Sequence, residues 1–342
     1  MMILAGDIGG TNTRLALFEL KAGAIVSIAK ATFASHNYPN LEEIVGKFRA
    51  TYPQHITQAC FGVAGPVKHG RCDATNLPWV VDAQVLANLL DLKTVGLIND
   101  LEANVLGISV LNTTNLVTLN PGEADAEGNA ALIAAGTGLG EAGLYWDGRH
   151  YQPIASEGGH ADFAPSNELE IELLRYLMAR FGRVSWERVL SGPGLYNIYQ
   201  FLRDTGRGNE PNWLATEIQE LDPPSAISQA ALSGQSSLCD LTLELFIALY
   251  GAEAGNLALT MKATGGLFIG GGIAPKLIER IDSTTTFMDA FTAKGRMRSL
   301  LAAMPVKVIM FDKTALWGAA VWANNLSPSV LGRESSPHRR LG

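Results

Sequence analysis

Two glycine turns about a third of the chain apart carry residue types suited to holding a polyphosphate. The first is Gly6-Asp7-Ile8-Gly9-Gly10-Thr11 and the second is Gly136-Thr137-Gly138. Each follows a short apolar run that reads as a strand and precedes another, unlike the strand-to-helix phosphate loop. Gly9-Gly10 is expected to reverse the chain at backbone angles that a Cβ would penalise. Successive main-chain N–H groups at such a turn make a concave anion site, and Thr11 and Thr137 add hydroxyl donors. Asp7 sets a carboxylate beside the first turn. A carboxylate suits a phosphate site only with a cation between them, and Mg²⁺, held largely through its own waters, fits that place. One such turn is equally a plain hairpin of a structural sheet; the pair points to a nucleotide.

Other polar residues stand where loops position chemistry. Asp100 follows the apolar run 94–98 and precedes a helical stretch, so on local grounds it is equally a general base or a helix N-cap. Glu157-Gly158-Gly159-His160 puts a carboxylate and an imidazole over one tight turn, although a lone histidine is as well explained as an ordinary interior or surface residue. Glu187, two residues after Ser185, sits in a first helical turn, where a carboxylate also suits the macrodipole. Gly270-Gly271-Gly272 is either a plain strand-to-helix turn, with Pro275 fitted to the next helix, or a place where a ligand approaches the backbone.

The elements that must position these groups follow from hydrophobic period. Strands are expected at 2–6, 14–20 and 24–33, an antiparallel start, then a helix over 41–52 and a strand over 56–64. Asp82 caps a helix through Leu90, and 94–98 follows as a strand, so the pattern turns to β-α-β and implies parallel strands. A helix runs from 101 to about 111, and 116–119 is a short strand. The polar loop 121–129 reads as a possible domain crossing. Residues 130–135 and 143–146 repeat the opening theme of strand, glycine turn, strand, a duplication of shape without sequence identity. Helices are expected at 168–181, 194–203 and 238–263, with 204–225 a proline-bearing surface excursion. Strands at 266–269 and 306–310 and a helix at 314–324 close the chain. The expected division is a small α/β domain, 1–112, completed by a C-terminal helix, 312–326, a large α/β domain, 113–311, and a flexible tail, 327–342.

Bulk composition narrows the class. The chain has 342 residues, long enough for two domains, with 47% hydrophobic and 17% charged residues, which describes a well-buried globular protein. Net charge is −7, and the only basic pair near the end is Arg339-Arg340 in the tail 335–342, so no nucleic-acid surface is expected. Cys60, Cys72 and Cys239 show no metal-ligand spacing and cannot all pair, which favours a reducing compartment. Asp7 interrupts the apolar start, so no signal peptide is expected, and no run reaches the roughly 20 apolar residues of a membrane span. The expectation is a soluble, cytoplasmic protein with no nucleic-acid or membrane partner.

In sequence order, Asp7-Ile8-Gly9-Gly10-Thr11-Asn12-x-Arg14, Asn99-Asp100, Gly136-Thr137-Gly138-Leu139-Gly140, Glu157-Gly158-Gly159-His160 and Gly270-Gly271-Gly272 resemble the motifs of bacterial glucokinases. Thr75-Asn76-Leu77-Pro78-Trp79, Asp162-Phe163-Ala164-Pro165 and the run from Glu187 to Gly194 resemble the proteobacterial and cyanobacterial branch. The likeness extends to about Asn325. It implies the two-domain actin-like ATPase (ribonuclease H-like) fold, with a cleft that closes on sugar. It also implies ATP-dependent phosphorylation of glucose at the 6-hydroxyl, the opening step of glycolysis, by a homodimer. By resemblance, Asp100 is the general base, and Asn99, Asp100, Glu157, His160 and Glu187 contact the sugar. Gly6, Asp7, Ile8, Gly9, Gly10, Thr11, Gly136, Thr137, Gly138, Gly270, Gly271 and Gly272 hold ATP, with Asp7 orienting Mg²⁺ through water. A second glucose-kinase lineage, the ROK group, carries a zinc-binding cysteine cluster. Here no cysteine lies between Cys72 and Cys239, so no zinc site is expected. Kinases of other hexoses or amino sugars, non-catalytic sugar sensors or regulators, and polymerising actin-like proteins share the scaffold. Fold does not separate them; the site does. Glu141 has no role legible at this stage.

Overall fold

The computed structural model describes residues 1–74, 77–149 and 151–325, so Thr75, Asn76 and the tail 327–342 lie outside the described residues. The chain divides into two compact units, one built from Met1–Leu111 with the chain from Lys313 onward, the other from Asn112–Asp312.

The first unit opens with β1 (Met2–Ile8), β2 (Asn12–Lys21) and β3 (Ala24–Ala34), an antiparallel meander. Then come α1 (Leu41–Thr51), β4 (Gln58–Val63), β5 (Val67–Lys68), β6 (Arg71–Asp73), β7 (Val80–Asp82), α2 (Ala83–Leu90), β8 (Gly96–Asn99) and α3 (Asp100–Gly107). The main sheet has the order β3-β2-β1-β4-β8, with β4 parallel to β1 and β8 parallel to β4. Both parallel strands are continuous apolar runs because each is covered on two faces. Helix α1 starts where the Asn40 side chain accepts from Glu43 N, and it buries Leu41, Ile44, Val45 and Phe48, one face at helical spacing. Asp82 caps α2 as its sequence position indicates. The small sheet β5-β6-β7 was not foreseen; strands of two or three residues leave no readable period.

The second unit holds β9 (Leu116–Asn120), β10 (Ala130–Ala135), β11 (Leu139–Trp146), β12 (Tyr151–Ala155), α4 (Glu168–Phe181), α5 (Gly192–Asp204), α6 (Asn212–Glu220), α7 (Pro223–Leu232) and α8 (Ser237–Met261). It closes with β13 (Gly266–Gly270), α9 (Ile278–Asp282), α10 (Thr286–Thr292), α11 (Arg298–Ala302) and β14 (Val306–Ile309). Its sheet has the order β12-β11-β10-β13-β14-β9. An antiparallel hairpin, β10–β11, is flanked by parallel β13 and β14, the same arrangement as β1–β2 with β4 and β8. The duplication inferred from two glycine turns is therefore a duplication of sheet topology. Helix α8, 25 residues long, buries side chains on every face and forms the centre of this unit's core.

Two expectations are corrected. The loop 121–129 is no crossing between units: it joins β9 to β10 within one sheet, and the division falls between Leu111 and Asn112. The stretch 204–225 lies at the surface as expected, but it is not mainly loop. It contains α6, which buries Leu214 and Ile218, and the start of α7, where Asp222 is the cap and Pro223-Pro224 occupy the first turn.

The last helix, α12 (Thr314–Asn325), lies on α3 and β1 of the first unit. Its Ala315, Leu316, Ala319, Ala320 and Ala323 form one cluster with Ile3, Ala5, Phe18 and Ala103. All three cysteines are buried and unpaired. No helix among the described residues is long and apolar enough to cross a membrane.

Candidate active site

In the first unit, Ile8 pairs with Thr13, which leaves Gly9–Asn12 as the turn. Gly9 N donates to Asn12 O at 3.0 Å. Neither Gly9 nor Gly10 takes a positive φ, which corrects the expected reason for glycine here. Space is the reason at Gly9, since a Cβ there would lie 3.2 Å from the Asn12 carbonyl oxygen. Ser35, at the end of β3, braces the turn: its Oγ donates to Gly9 O at 2.8 Å, and its N–H donates to Thr11 O at 2.9 Å. No motif singled Ser35 out, because it reaches the turn only through strand pairing. Gly6 and Ile8 are buried in β1, and a Cβ on Gly6 would collide with the Phe61 ring, so both position the turn from below. Asp7 is half-buried and faces its cross-strand partner Arg14, whose Nη1 donates to Asp7 Oδ2 at 3.2 Å. Thr11 is exposed at the tip.

Ile8, Val63 and Asn99 lie in one row across β1, β4 and β8. The Asn99-Asp100 step therefore leaves the sheet at the same edge as the glycine turn, two strand spacings away, roughly 10 Å. Asn99, and not Asp100, is the cap of α3. Its Oδ1 accepts from Leu101 N at 2.8 Å, its N–H donates to Glu102 Oε2 at 2.9 Å, and its Nδ2 donates to Gly65 O at 3.0 Å. Asp100 is the first residue of the helix and is half-buried. The capping duty that competed with catalysis for Asp100 thus belongs to its neighbour.

In the second unit several of the motif residues converge on Leu139. It ends the turn Gly136–Gly138, closed by a Gly136 N to Gly138 O bond of 2.8 Å. Leu139 N donates to Glu187 Oε2 at 3.0 Å, and Gly138 leaves no room for a Cβ beside that carboxylate. On the other side, Gly159 presses so closely on the Leu139 carbonyl that a Cβ would overlap it. Glu157 and His160 bracket this short turn and are both exposed. The turn is tied to the Glu187 segment by Trp186 N donating to Ala161 O at 3.0 Å and by a bridge between Asp162 and Ser185. Glu187 lies in a 3-10 turn, not at the start of an α-helix, so the macrodipole does not account for it.

Gly271 has φ +80°, a region open to glycine, and lies against the Ala135 carbonyl that ends β10. Gly270 pairs with Ala134, and Gly272 lines a cavity of about 880 Å³ together with Gly136 and Thr137. Its other walls include Pro193 and Tyr196 of α5, Asp222 and Ser225 at the start of α7, and Lys276. Sequence reasoning missed those walls; the Asp-Pro-Pro-Ser helix start was the available signal. Among the described residues no group of three or more His, Cys, Asp or Glu side chains gathers as a metal cage. A single carboxylate at Asp7 suits Mg²⁺ that arrives on phosphates and keeps its waters.

Hairpin-plus-parallel-strand sheets in both units, each with a glycine turn at the strand ends, are the arrangement of the actin-like ATPase fold. A family model described as Glucokinase matches residues 4–326. A glucokinase of Nostoc sp. is 44% identical over 341 residues, covering 95% of this chain and 99% of that protein. The crystal structure of a glucokinase from an Antarctic psychrotroph superposes with TM-score 0.84 at 33% identity, covering 95% of this chain and 99% of that one. A ROK family glucokinase from Streptomyces griseus, solved in complex with glucose and AMPPNP, shares the fold at TM-score 0.62 and 20% identity, covering 95% and 100%. The chain belongs to the glucokinase family.

Proposed function

We propose that this chain transfers the γ-phosphoryl group of ATP to the 6-hydroxyl of glucose, the opening step of glycolysis, with Asp100 as general base. The observation that carries the reading is the convergence of the second glycine turn, Glu187 and the Glu157–His160 turn on one residue, Leu139. A phosphate-holding loop and hydroxyl-matching side chains are thereby locked to one another within a single unit. Phosphoryl transfer depends on positioning and charge neutralisation more than on covalent help from the protein.

In this reading Gly136–Gly138 and the Gly6–Thr11 turn hold phosphates through main-chain N–H groups. The adenosine occupies the cavity beside Gly272, with Gly270 and Gly271 keeping the backbone low. Mg²⁺, oriented at Asp7 through water, would neutralise the phosphate charge. Asn99, Glu157, His160 and Glu187 select the sugar by pairing its hydroxyls, since a mismatched epimer leaves a polar partner unsatisfied. Asp100, the first residue of α3, takes the proton of the attacking hydroxyl. The glucose and nucleotide analogue held by the Streptomyces griseus protein support the substrate pair.

The test is turnover with ATP–Mg²⁺ across glucose, mannose, fructose and glucosamine, followed by ADP release. Glucose is expected to give the highest kcat/KM. Asp100→Asn is expected to fold, bind glucose and lose about 10²–10⁴-fold in kcat. A preferred acceptor other than glucose removes the substrate assignment, and near-normal kcat in the variant removes Asp100 from the mechanism.

A further inference from the structure

Glu141 lies on β11 two residues beyond Leu139, hence on the same face of the strand. It is only 3% exposed, and no N–H or hydroxyl serves its Oε1. Its Oε2 fills the place a Cβ on Gly158 would take, so the carboxyl group supports the Glu157–His160 turn from beneath. Facing it from α8 is Glu253, 5% exposed, its carboxyl within hydrogen-bonding reach of Glu141.

The surrounding charges do not neutralise two carboxylates. Asn256 Nδ2 donates to Glu253 Oε2 at 2.7 Å, and Lys294 Nζ donates to Asn256 Oδ1 at 2.7 Å and to Ala252 O at 2.8 Å. Lys294 thus hydrogen-bonds neither carboxylate; its charge, shared with Glu170 on α4, draws Glu253 down but is outweighed there by burial and the Glu141 charge. Tyr250 of α8 stays protonated, pushed up by burial, with its hydroxyl spent on Ala135 N and Gly270 O. On the turn itself stand Glu157 and His160, with Arg183 donating to the His160 carbonyl and pairing with Asp162. Burial raises Glu141, and burial together with the Glu141 charge pushes Glu253 up to about 8. Two such acids cannot both ionise side by side in low dielectric; they titrate as a pair.

We propose that Glu141 and Glu253 share one proton beneath the Glu157–His160 turn, and that this proton sets the turn's position, so that glucose is held less tightly once it leaves. The inference rests on the reading above that Glu157 and His160 contact the sugar. Glu141 and Glu253 are positioning residues, touching no substrate themselves. With the proton present, one acid donates an O–H···O bond to the other. Without it, the two carboxylates repel. Glu253 is fixed in the buried central helix, whereas Glu141 bears on a glycine turn at the surface, so the turn is the side that yields.

The experiment compares KM for glucose and for ATP at pH 7 and pH 9 in the parent, Glu141→Gln and Glu253→Gln, with calorimetric glucose binding in the absence of nucleotide. In the parent, glucose KM and Kd are expected to rise about fivefold, the equivalent of one displaced hydrogen bond, while ATP KM holds within about twofold. In either variant an amide donates in place of the shared proton, and the glucose values become flat with pH. A parent-like pH rise in the variants, or equal movement of glucose and ATP values, overturns the inference. If Glu141→Gln does not fold, Glu253→Gln decides. Glu157→Gln at pH 7 separates the two layers: unchanged glucose binding there sinks the sugar-contact reading and this inference with it. Weakened binding there, with Glu141→Gln following the parent profile, sinks this inference alone.

Discussion

On the proposed reading, Asn99 and Asp100 divide two tasks, capping and proton transfer, that a lone residue at the end of β8 would have to combine. Asn99 spends both ends of its amide on the backbone and holds the first turn of α3 in place. Asp100 is left one position further on, at the positive end of the helix. This pairing was legible only in part: Asp100 before an apolar helical run reads as a cap as readily as a base, and nothing local marks Asn99 as the cap. Glu187 was legible as a polar residue in a motif, but its bond to Leu139 N crosses 48 positions and no local pattern announces it. Glu141 stood without a role for the same reason: its neighbours Gly158 and Glu253 come from a turn and a helix far along the chain. The pair has a measurable effect on stability. Glu253 binds its proton more tightly in the folded chain than in the unfolded one, where an ordinary carboxyl titrates near 4.3. Above that value the native state carries the extra proton, so stability falls as pH rises toward about 8. Thermal unfolding of the parent between pH 5 and 8 is expected to show that decline, and Glu253→Gln to flatten it. A decline of equal slope in the variant assigns it to other groups.

At the scale of elements, the strands and turns that hold the site could be read in advance because each combines an apolar run with a glycine stop. β1, β2, β10 and β11 all follow that rule, and the helices α1, α2 and α4 follow their periods, while α8 announces itself by the length of its apolar run. What escaped was structure whose local signals conflict. Prolines at 211, 223 and 224 suggested a loop, yet Pro223 and Pro224 sit where a helix tolerates proline, after the Asp222 cap. Gly9 shows the reverse error, since its glycine is explained by crowding against Asn12 and not by backbone angle. Gly271 is the turn where angle and crowding coincide, with φ +80° and the Ala135 carbonyl directly against it. Gly271→Ala is expected to cost about 1–3 kcal/mol of stability. It is also expected to raise KM for ATP more than for glucose, because the strain falls on the cavity wall beside Gly272. Denaturant unfolding together with the two KM values checks this; an unshifted midpoint would mean the turn has slack that the geometry does not indicate.

For the whole molecule, the repeated topology explains how one chain supplies two glycine turns at the strand ends of similar sheets. The repeats differ in how they are covered. The second unit builds its own core around α8, whereas the first borrows α12 from the far end of the chain to cover Ile3, Ala5 and Phe18. Deleting residues from 314 onward should therefore leave the second unit's slow-exchanging amides largely intact while those of β1, β2 and α3 exchange rapidly, as hydrogen exchange would report. Equal loss of protection in both units would show that they fold as one. The borrowed helix also has a consequence for synthesis. About 200 residues separate Leu111 from α12, an interval of roughly 10–40 s at the ribosome. Throughout that interval the earliest sheet to emerge carries a bare greasy side, so nascent chains of this protein are natural clients for a chaperone until translation reaches the final helix.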